Sequence, residues 1–112
     1  DLVSIGRRYL RIINKSFPDI KIAVLRSGHG PCCDEIKLIE YQTSNLRESI
    51  DWGPDAAIIC SPANLHVDQA IALGNSEVPC LIEKPLGSGH EDLKKLEKLM
   101  NLQKKLLTQK II

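Results

Sequence analysis

Aromatic side chains are scarce in this chain: one Trp, two Tyr and one Phe among 112 residues. A surface that stacks bases needs several of them, which argues against a platform for single-stranded nucleic acid. Neither charge sign dominates. Fifteen basic against fourteen acidic side chains leave a formal charge of +1, too little for a long-range field toward nucleic acid or an anionic membrane. Long hydrophobic runs are missing as well. The apolar stretches end after four or five residues, far short of the roughly 20 that a membrane-spanning helix needs. Nothing resembles a signal peptide, so the expectation is a soluble, cytoplasmic protein with neither nucleic acid nor membrane as partner.

Metal-ligand spacing is also lacking. Cys32-Cys33 is a vicinal pair without C-x-x-C spacing, while Cys60 and Cys80 lie inside apolar runs. No zinc site is expected from this pattern. Cys60 and Cys80 read as small buried hydrophobes, with reduced thiols as the default.

What is present is an alternation of helix and strand signals. Ile5, Tyr9, Ile12 and Ile13 recur at helical spacing, with Arg7, Arg8, Arg11 and Lys15 opposite. Pro18-Asp19 closes that segment, and Ile20 to Leu25 has the propensity and length of a strand. Ser27-Gly28-His29-Gly30-Pro31 is a loop, Ile36 to Tyr41 a weaker strand signal, and Asn45 to Ile50 a short helix. Trp52-Gly53-Pro54-Asp55 turns the chain into Ala56-Ala57-Ile58-Ile59-Cys60, a run suited to a strand buried on both faces. A helix to about Asn75 follows, its inner face built from Val67, Ala70, Ile71 and Gly74, and then a strand from Val78 to Ile82. Ser88 and Glu91 have capping-box spacing for a last helix reaching about Gln109, with Leu93, Leu96, Met100 and Leu107 on one face. Lys110-Ile111-Ile112 would open a further strand.

Such an alternation predicts an α/β fold: a doubly wound, Rossmann-like parallel sheet, with residues 1–112 forming one domain. Crossovers of one hand bring the strand carboxyl ends to one edge, where ligands bind in such sheets. Three loops should share that edge, those after Leu25, Cys60 and Ile82. The last is the most informative. Pro79-Cys80-Leu81-Ile82 is apolar to its end and then presents Glu83-Lys84-Pro85: a carboxylate, an ammonium and a proline ring. Alone, that tripeptide is more often an exposed loop than a site.

Ser4-Ile5-Gly6-Arg7-Arg8 at a helix start invites comparison with the phosphate-binding G-x-G-x-x-G turn. Gly6 takes the third glycine position, but Asp1 and Val3 fill the first two. A valine puts two methyl groups where backbone should touch phosphate, and an aspartate adds like-charge repulsion. The strand that precedes this turn in the doubly wound order is also expected to be missing, as in a fragment or a chain completed by a partner.

Taken together, Ser4-Ile5-Gly6-Arg7-Arg8, the segment Pro54 to His66 and Leu81-Ile82-Glu83-Lys84-Pro85-Leu86-Gly87 resemble the Gfo/Idh/MocA-type oxidoreductases, over nearly the whole chain and in their N-terminal nucleotide-binding half. The resemblance implies an NAD(P)-dependent dehydrogenase or reductase acting on sugars, cyclitols or related polyols. It implies cofactor contacts at Ser4, Ile5, Gly6 and Arg7, at Arg26 and Ser27, at Cys60, Pro62, Asn64 and His66, and at Glu83, Lys84 and Pro85. By it, Pro62, Asn64, His66 and Glu83 lie near the nicotinamide ribose, Lys84 is the catalytic residue at the substrate hydroxyl, and the Lys84-Pro85 bond is cis. The residues themselves leave alternatives open. His66 fits a ligand or a polar surface position on the first helical turn, Asn64 fits an N-cap as well as a cofactor contact, and Arg7 and Arg8 suit a solvated helix face.

Arg26-Ser27 follows the strand Ile20–Leu25, at the turn where an acidic residue would select NAD and an arginine accommodates the extra phosphate of NADP, so NADP is expected over NAD. The family's substrate half, with the usual partner for Lys84, is not in this sequence. No turnover is therefore expected of the 112-residue chain. A non-catalytic remnant or interaction module with impaired nucleotide binding is the alternative, favoured by Asp1 and Val3, and the sequence leaves a homo-oligomer open.

Overall fold

The computed structural model describes residues 4–28 and 33–110, apart from the side chains of residue 4 and residues 106–110. Contacts group the chain into two compact units, Asp1–Gly53 and Pro54–Ile112.

The first unit opens with α1 (Ser4–Ser16). Its inner stripe is Gly6, Leu10 and, half-buried, Tyr9 and Ile13. Ile12, expected on that stripe, is 48% exposed, because at 100° per residue it lies far around the helix from Gly6 and Leu10. α1 stops short of Pro18, as the restriction on a pre-proline residue requires.

β1 (Ala23–Leu25) pairs in parallel with β2 (Tyr41–Thr43) in the register Ala23↔Tyr41 and Leu25↔Thr43. Glu40 N–H to Ile22 O at 2.8 Å and Arg26 N–H to Thr43 O at 3.0 Å extend the ladder at both ends. The strand is shorter than Ile20–Leu25 because exposed Ile20 lies in a turn, its N–H on Phe17 O. The first half of the strand expected over Ile36–Tyr41 is instead part of a 3-10 helix, Asp34–Leu38, and only Tyr41 is in a strand. Asp34 and Glu35 sit in its first turn, where carboxylates favour helical backbone. α2 (Leu46–Asp51) begins as expected, with the Asn45 side chain accepting from Glu48 N–H at 3.0 Å. Trp52 closes it and stacks on Tyr41, ring centroids 6.5 Å apart. Gly53 then turns the chain at φ 84°, a left-handed value that glycine adopts freely.

The second unit is a β-α-β arrangement followed by a long helix. β3 (Ala57–Ile59) and β4 (Cys80–Ile82) are parallel, with Ala57↔Cys80 and Ile59↔Ile82 in register. α3 (Ala63–Asn75) connects them and α4 (Leu93–Lys110) packs on α3. Ile59, Val67, Ala70, Leu73, Val78 and Leu99 form the core, each at most 6% exposed. α3 ends with Glu77 at φ 62°, Val78 N–H bonding Leu73 O and Glu77 N–H bonding Gly74 O, the paired bonds of a Schellman motif.

Several expectations fail in this unit. β3 is not buried on both faces: Ile58 and its partner Leu81 are 37% and 56% exposed, so the core lies on the face that α3 covers. The inner stripe of α4 runs through buried Leu99 and half-buried Leu96 and Leu102, leaving Leu93 and Met100 at 75% and 71% exposure. The cause is the approach of α3, where Gly74 sets the spacing against Leu102; the side chain of Leu107 lies outside the described residues. Lys110, expected to open a strand, is helical, and Ile111-Ile112 are outside the described residues.

Candidate functional site

β3 and β4 end side by side. Past the Ile59↔Ile82 pair, Glu83 N–H donates to Ile59 O at 2.9 Å. Cys60-Ser61 and Glu83-Lys84 therefore leave the same carboxyl edge of one sheet, as expected for two of the three loops. The loop after Leu25 belongs to the first unit.

α3 starts beside that edge. Pro62 occupies the N-cap position without a side-chain cap, and Asn64 is already inside the helix. Asn64 is thus not the N-cap but an exposed residue of the first turn, and Pro62 is exposed beside it. Ser61 donates to Gln69 Oε1 at 2.6 Å, tying the loop to the second turn. His66 lies one turn in and is only 2% exposed, so it is not a surface histidine. Its Nδ1 is 2.8 Å from Pro85 O and its Nε2 is 2.6 Å from Ser61 O. Both neighbours are acceptors, so each ring nitrogen faces a backbone carbonyl to which an N–H on it donates.

Half-buried Glu83 and exposed Lys84 and Pro85 follow β4, and the Lys84-Pro85 bond is cis, as the resemblance implied. Burial pushes the Cys60 thiol up and the nearby Glu83 carboxylate adds to the shift; burial likewise raises Cys80 to about 11. Both thiols are free and half-buried, which keeps them protonated and weakly nucleophilic near neutrality.

The far end of the loop is held by Glu91. Its carboxylate accepts from Ser88 N–H at 2.6 Å, Ser88 Oγ at 3.0 Å and Gly89 N–H at 2.9 Å. The Ser88 backbone bond, followed by the hydroxyl and the other amides, holds the carboxyl down to about 2 against desolvation. A Cβ on Gly87 would stand 2.5 Å from that carboxylate and displace it from these donors. The expected capping box is therefore a loop clasp. Helix α4 starts later, at Leu93, with Asp92 Oδ1 accepting from Lys94 N–H at 2.9 Å.

In the first unit, Arg26 is 8% exposed and Ser27 is exposed. Gly6 is buried and Ile5 half-buried, while the side chain of Ser4 and all of Asp1, Val3 and His29 lie outside the described residues. Arg7 does not simply face solvent. Its Nε and the Nη1 of Arg11 bond the two oxygens of Glu35 at 3.3 and 2.6 Å. Glu35 is 9% exposed, and its own backbone N–H, then Arg11, then Arg7 hold its carboxyl down to about 2 despite burial. Among the described residues, no group of three His, Cys, Asp or Glu could hold a metal, and no helix is long and apolar enough to cross a membrane.

Comparison with known proteins decides the family. The family described as an oxidoreductase family with an NAD-binding Rossmann fold, GFO_IDH_MocA, matches residues 3–110. The chain belongs to the Gfo/Idh/MocA family. No curated protein matches it. Among solved structures, myo-inositol 2-dehydrogenase from Lactobacillus plantarum has the same fold, with a TM-score of 0.73 and 21% identity. That match covers 94% of this chain and 31% of the other, so the chain spans about a third of that protein's length.

Within this Gfo/Idh/MocA domain, sequence reasoning missed the roles of two carboxylates that organise loops and helices. Glu35 stands just before the segment Ile36–Tyr41 that reads as strand, and the one signal that could have found it is the spacing of Arg7 and Arg11, one helical turn apart, which lets a single anion bridge them. Glu91 was singled out by its spacing from Ser88, but that spacing does not distinguish a helix cap from a loop clasp.

Proposed function

We propose that this domain holds a nicotinamide dinucleotide for an oxidoreductase that moves hydride to or from a sugar, cyclitol or related polyol. Membership of an NAD-binding Rossmann family supports the cofactor class, and the dehydrogenase with the same fold, named for myo-inositol, supports a polyol substrate. The carrying observation is exposed Lys84, which follows Glu83 at the carboxyl edge of β3 and β4.

The donor set there fits such a cofactor. The Glu83 carboxylate can accept from ribose hydroxyls and the Asn64 amide can accept or donate, and the first turn of α3 presents N–H groups with no side-chain cap. The nicotinamide ring, when bound, supplies or takes the hydride. Lys84 is proposed as the catalytic residue: its ammonium donates to the reacting oxygen, stabilises developing alkoxide charge and can pass a proton. In the first unit, Arg26-Ser27 follows β1 and offers no carboxylate at that turn, which supports NADP over NAD.

Titrating NADPH into the 112-residue chain tests the reading directly. Saturable enhancement of nicotinamide fluorescence is expected, and no saturation by about 1 mM nucleotide, a binding energy of only about −4 kcal/mol, would refute it. Lys84→Met should leave that affinity within about twofold, because an interaction made only in the transition state contributes little to ground-state binding.

A further inference from the structure

We propose that His66 is a positioning residue for Lys84, acting through the backbone of the Lys84-Pro85 segment and not by touching a ligand. This rests on the reading of Lys84 given above. The chain leaves the β4 ladder at Glu83, whose N–H is the last to bond across to β3. From Lys84 to Gly87, no backbone–backbone hydrogen bond is made among the described residues. Two side chains hold the stretch instead. His66 Nδ1 reaches Pro85 O at 2.8 Å, and the Glu91 carboxylate holds Ser88 and Gly89.

Lys84 thus lies between a fixed point in the sheet and a fixed point on His66. The other ring nitrogen of His66 bonds Ser61 O at 2.6 Å, so one imidazole ties the turn after β4 to the turn after β3. At 2% exposure, with both nitrogens engaged, the ring has no atom left for a bound nucleotide. A side chain kept only for packing would not place both polar atoms on backbone carbonyls of neighbouring loops. Buried polar groups that satisfy such carbonyls fix backbone geometry.

Two substitutions separate the bonds. The amide nitrogen of asparagine falls near the imidazole Nδ1, and that of glutamine near Nε2. His66→Asn therefore keeps a donor for Pro85 O, and His66→Gln keeps one for Ser61 O. The readout is amide 15N relaxation at Lys84, Leu86 and Gly87 in the 112-residue chain, with thermal stability measured alongside. In the wild type these amides should be rigid, with order parameters near about 0.85. They should stay so in His66→Asn and fall below about 0.6 in His66→Gln, with NADPH affinity falling about five- to tenfold in His66→Gln alone, the fold-change expected for one lost hydrogen bond.

Flexible amides in the wild type overturn the proposal without any variant. So does an equal response of both variants, which is what a purely space-filling histidine would give. If the wild type fails to bind NADPH, the cofactor reading falls, while the relaxation data still decide whether His66 holds the segment.

Discussion

At the scale of single residues, the carboxylates that matter most are those whose partners lie far away in sequence. Glu35 joins the 3-10 helix to α1 through Arg7 and Arg11. Its carboxyl titrates near 2 in the folded chain against an ordinary 4.5, so the unfolded chain takes up the proton first. Its contribution to stability is complete above about 4.5 and drains away as pH falls toward 2. Glu91 titrates in the same window, but it closes a loop and joins no helices. Glu35→Gln should therefore lower stability at neutral pH and remove part of the acid dependence between these limits, as read from Trp52 fluorescence in the first unit. An unchanged acid profile in Glu35→Gln would show that the ion pairs contribute nothing. The place of Glu83 and Lys84 at the strand end was legible from a short motif, and the cis bond from the resemblance that motif carries, because such motifs go with local backbone. Glu35 was not, because nothing within a few residues of it carries its partners.

At the scale of elements, helices and their order were largely readable, and the faces they bury were less so. Periodicity finds a stripe of apolar residues, but Leu93 and Met100 match the helical period of α4 as well as Leu96 and Leu99 do. The neighbour decides, and here it is α3, whose closest approach is at Gly74. A Cβ there would lie 3.2 Å from Leu102 Cδ1 and 3.4 Å from Leu102 Cβ. Alanine at 74 gains roughly 1 kcal/mol of helix propensity and asks Leu102 to move by a few tenths of an ångström, so Gly74→Ala should be close to neutral. A larger side chain cannot be absorbed that way. Gly74→Leu should cost about 1–3 kcal/mol by overpacking, and Leu102→Ala in the same chain should recover much of it. Purely additive losses in that double-mutant cycle, measured by denaturant unfolding, would show that the two side chains do not share the space. Strand lengths were overestimated for a related reason. Propensity marked Ile20–Leu25, but a strand continues only where a neighbour accepts its bonds, and here that is Ala23–Leu25.

At the scale of the whole molecule, the α/β alternation and the parallel pairing of β3 and β4 followed from the order of elements, whereas the division at Gly53-Pro54 appeared in the sequence only as a turn. That division makes the cofactor proposal testable in each part separately. All four aromatic residues, Tyr9, Phe17, Tyr41 and Trp52, lie in the first unit, and the second has none. Trp52 fluorescence therefore reports the first unit alone, and amide exchange at Ala70 and Leu73 in the core of α3 reports the second. Proposed contacts fall in both, Arg26 and Ser27 in one, Asn64 and Glu83 in the other. A nucleotide that binds only folded protein at about 100 times its Kd adds about 2.7 kcal/mol to the stability of whatever it holds. NADP should therefore raise the Trp52 transition and slow exchange in α3 by comparable free energies. NAD at equal concentration should do so less, since Arg26-Ser27 offers no acidic partner for its ribose. Tenfold tighter NAD binding would overturn the cofactor preference. A shift confined to α3, with Trp52 unmoved, would remove Arg26 and Ser27 from the set of cofactor contacts and leave the edge of β3 and β4 as the part that binds.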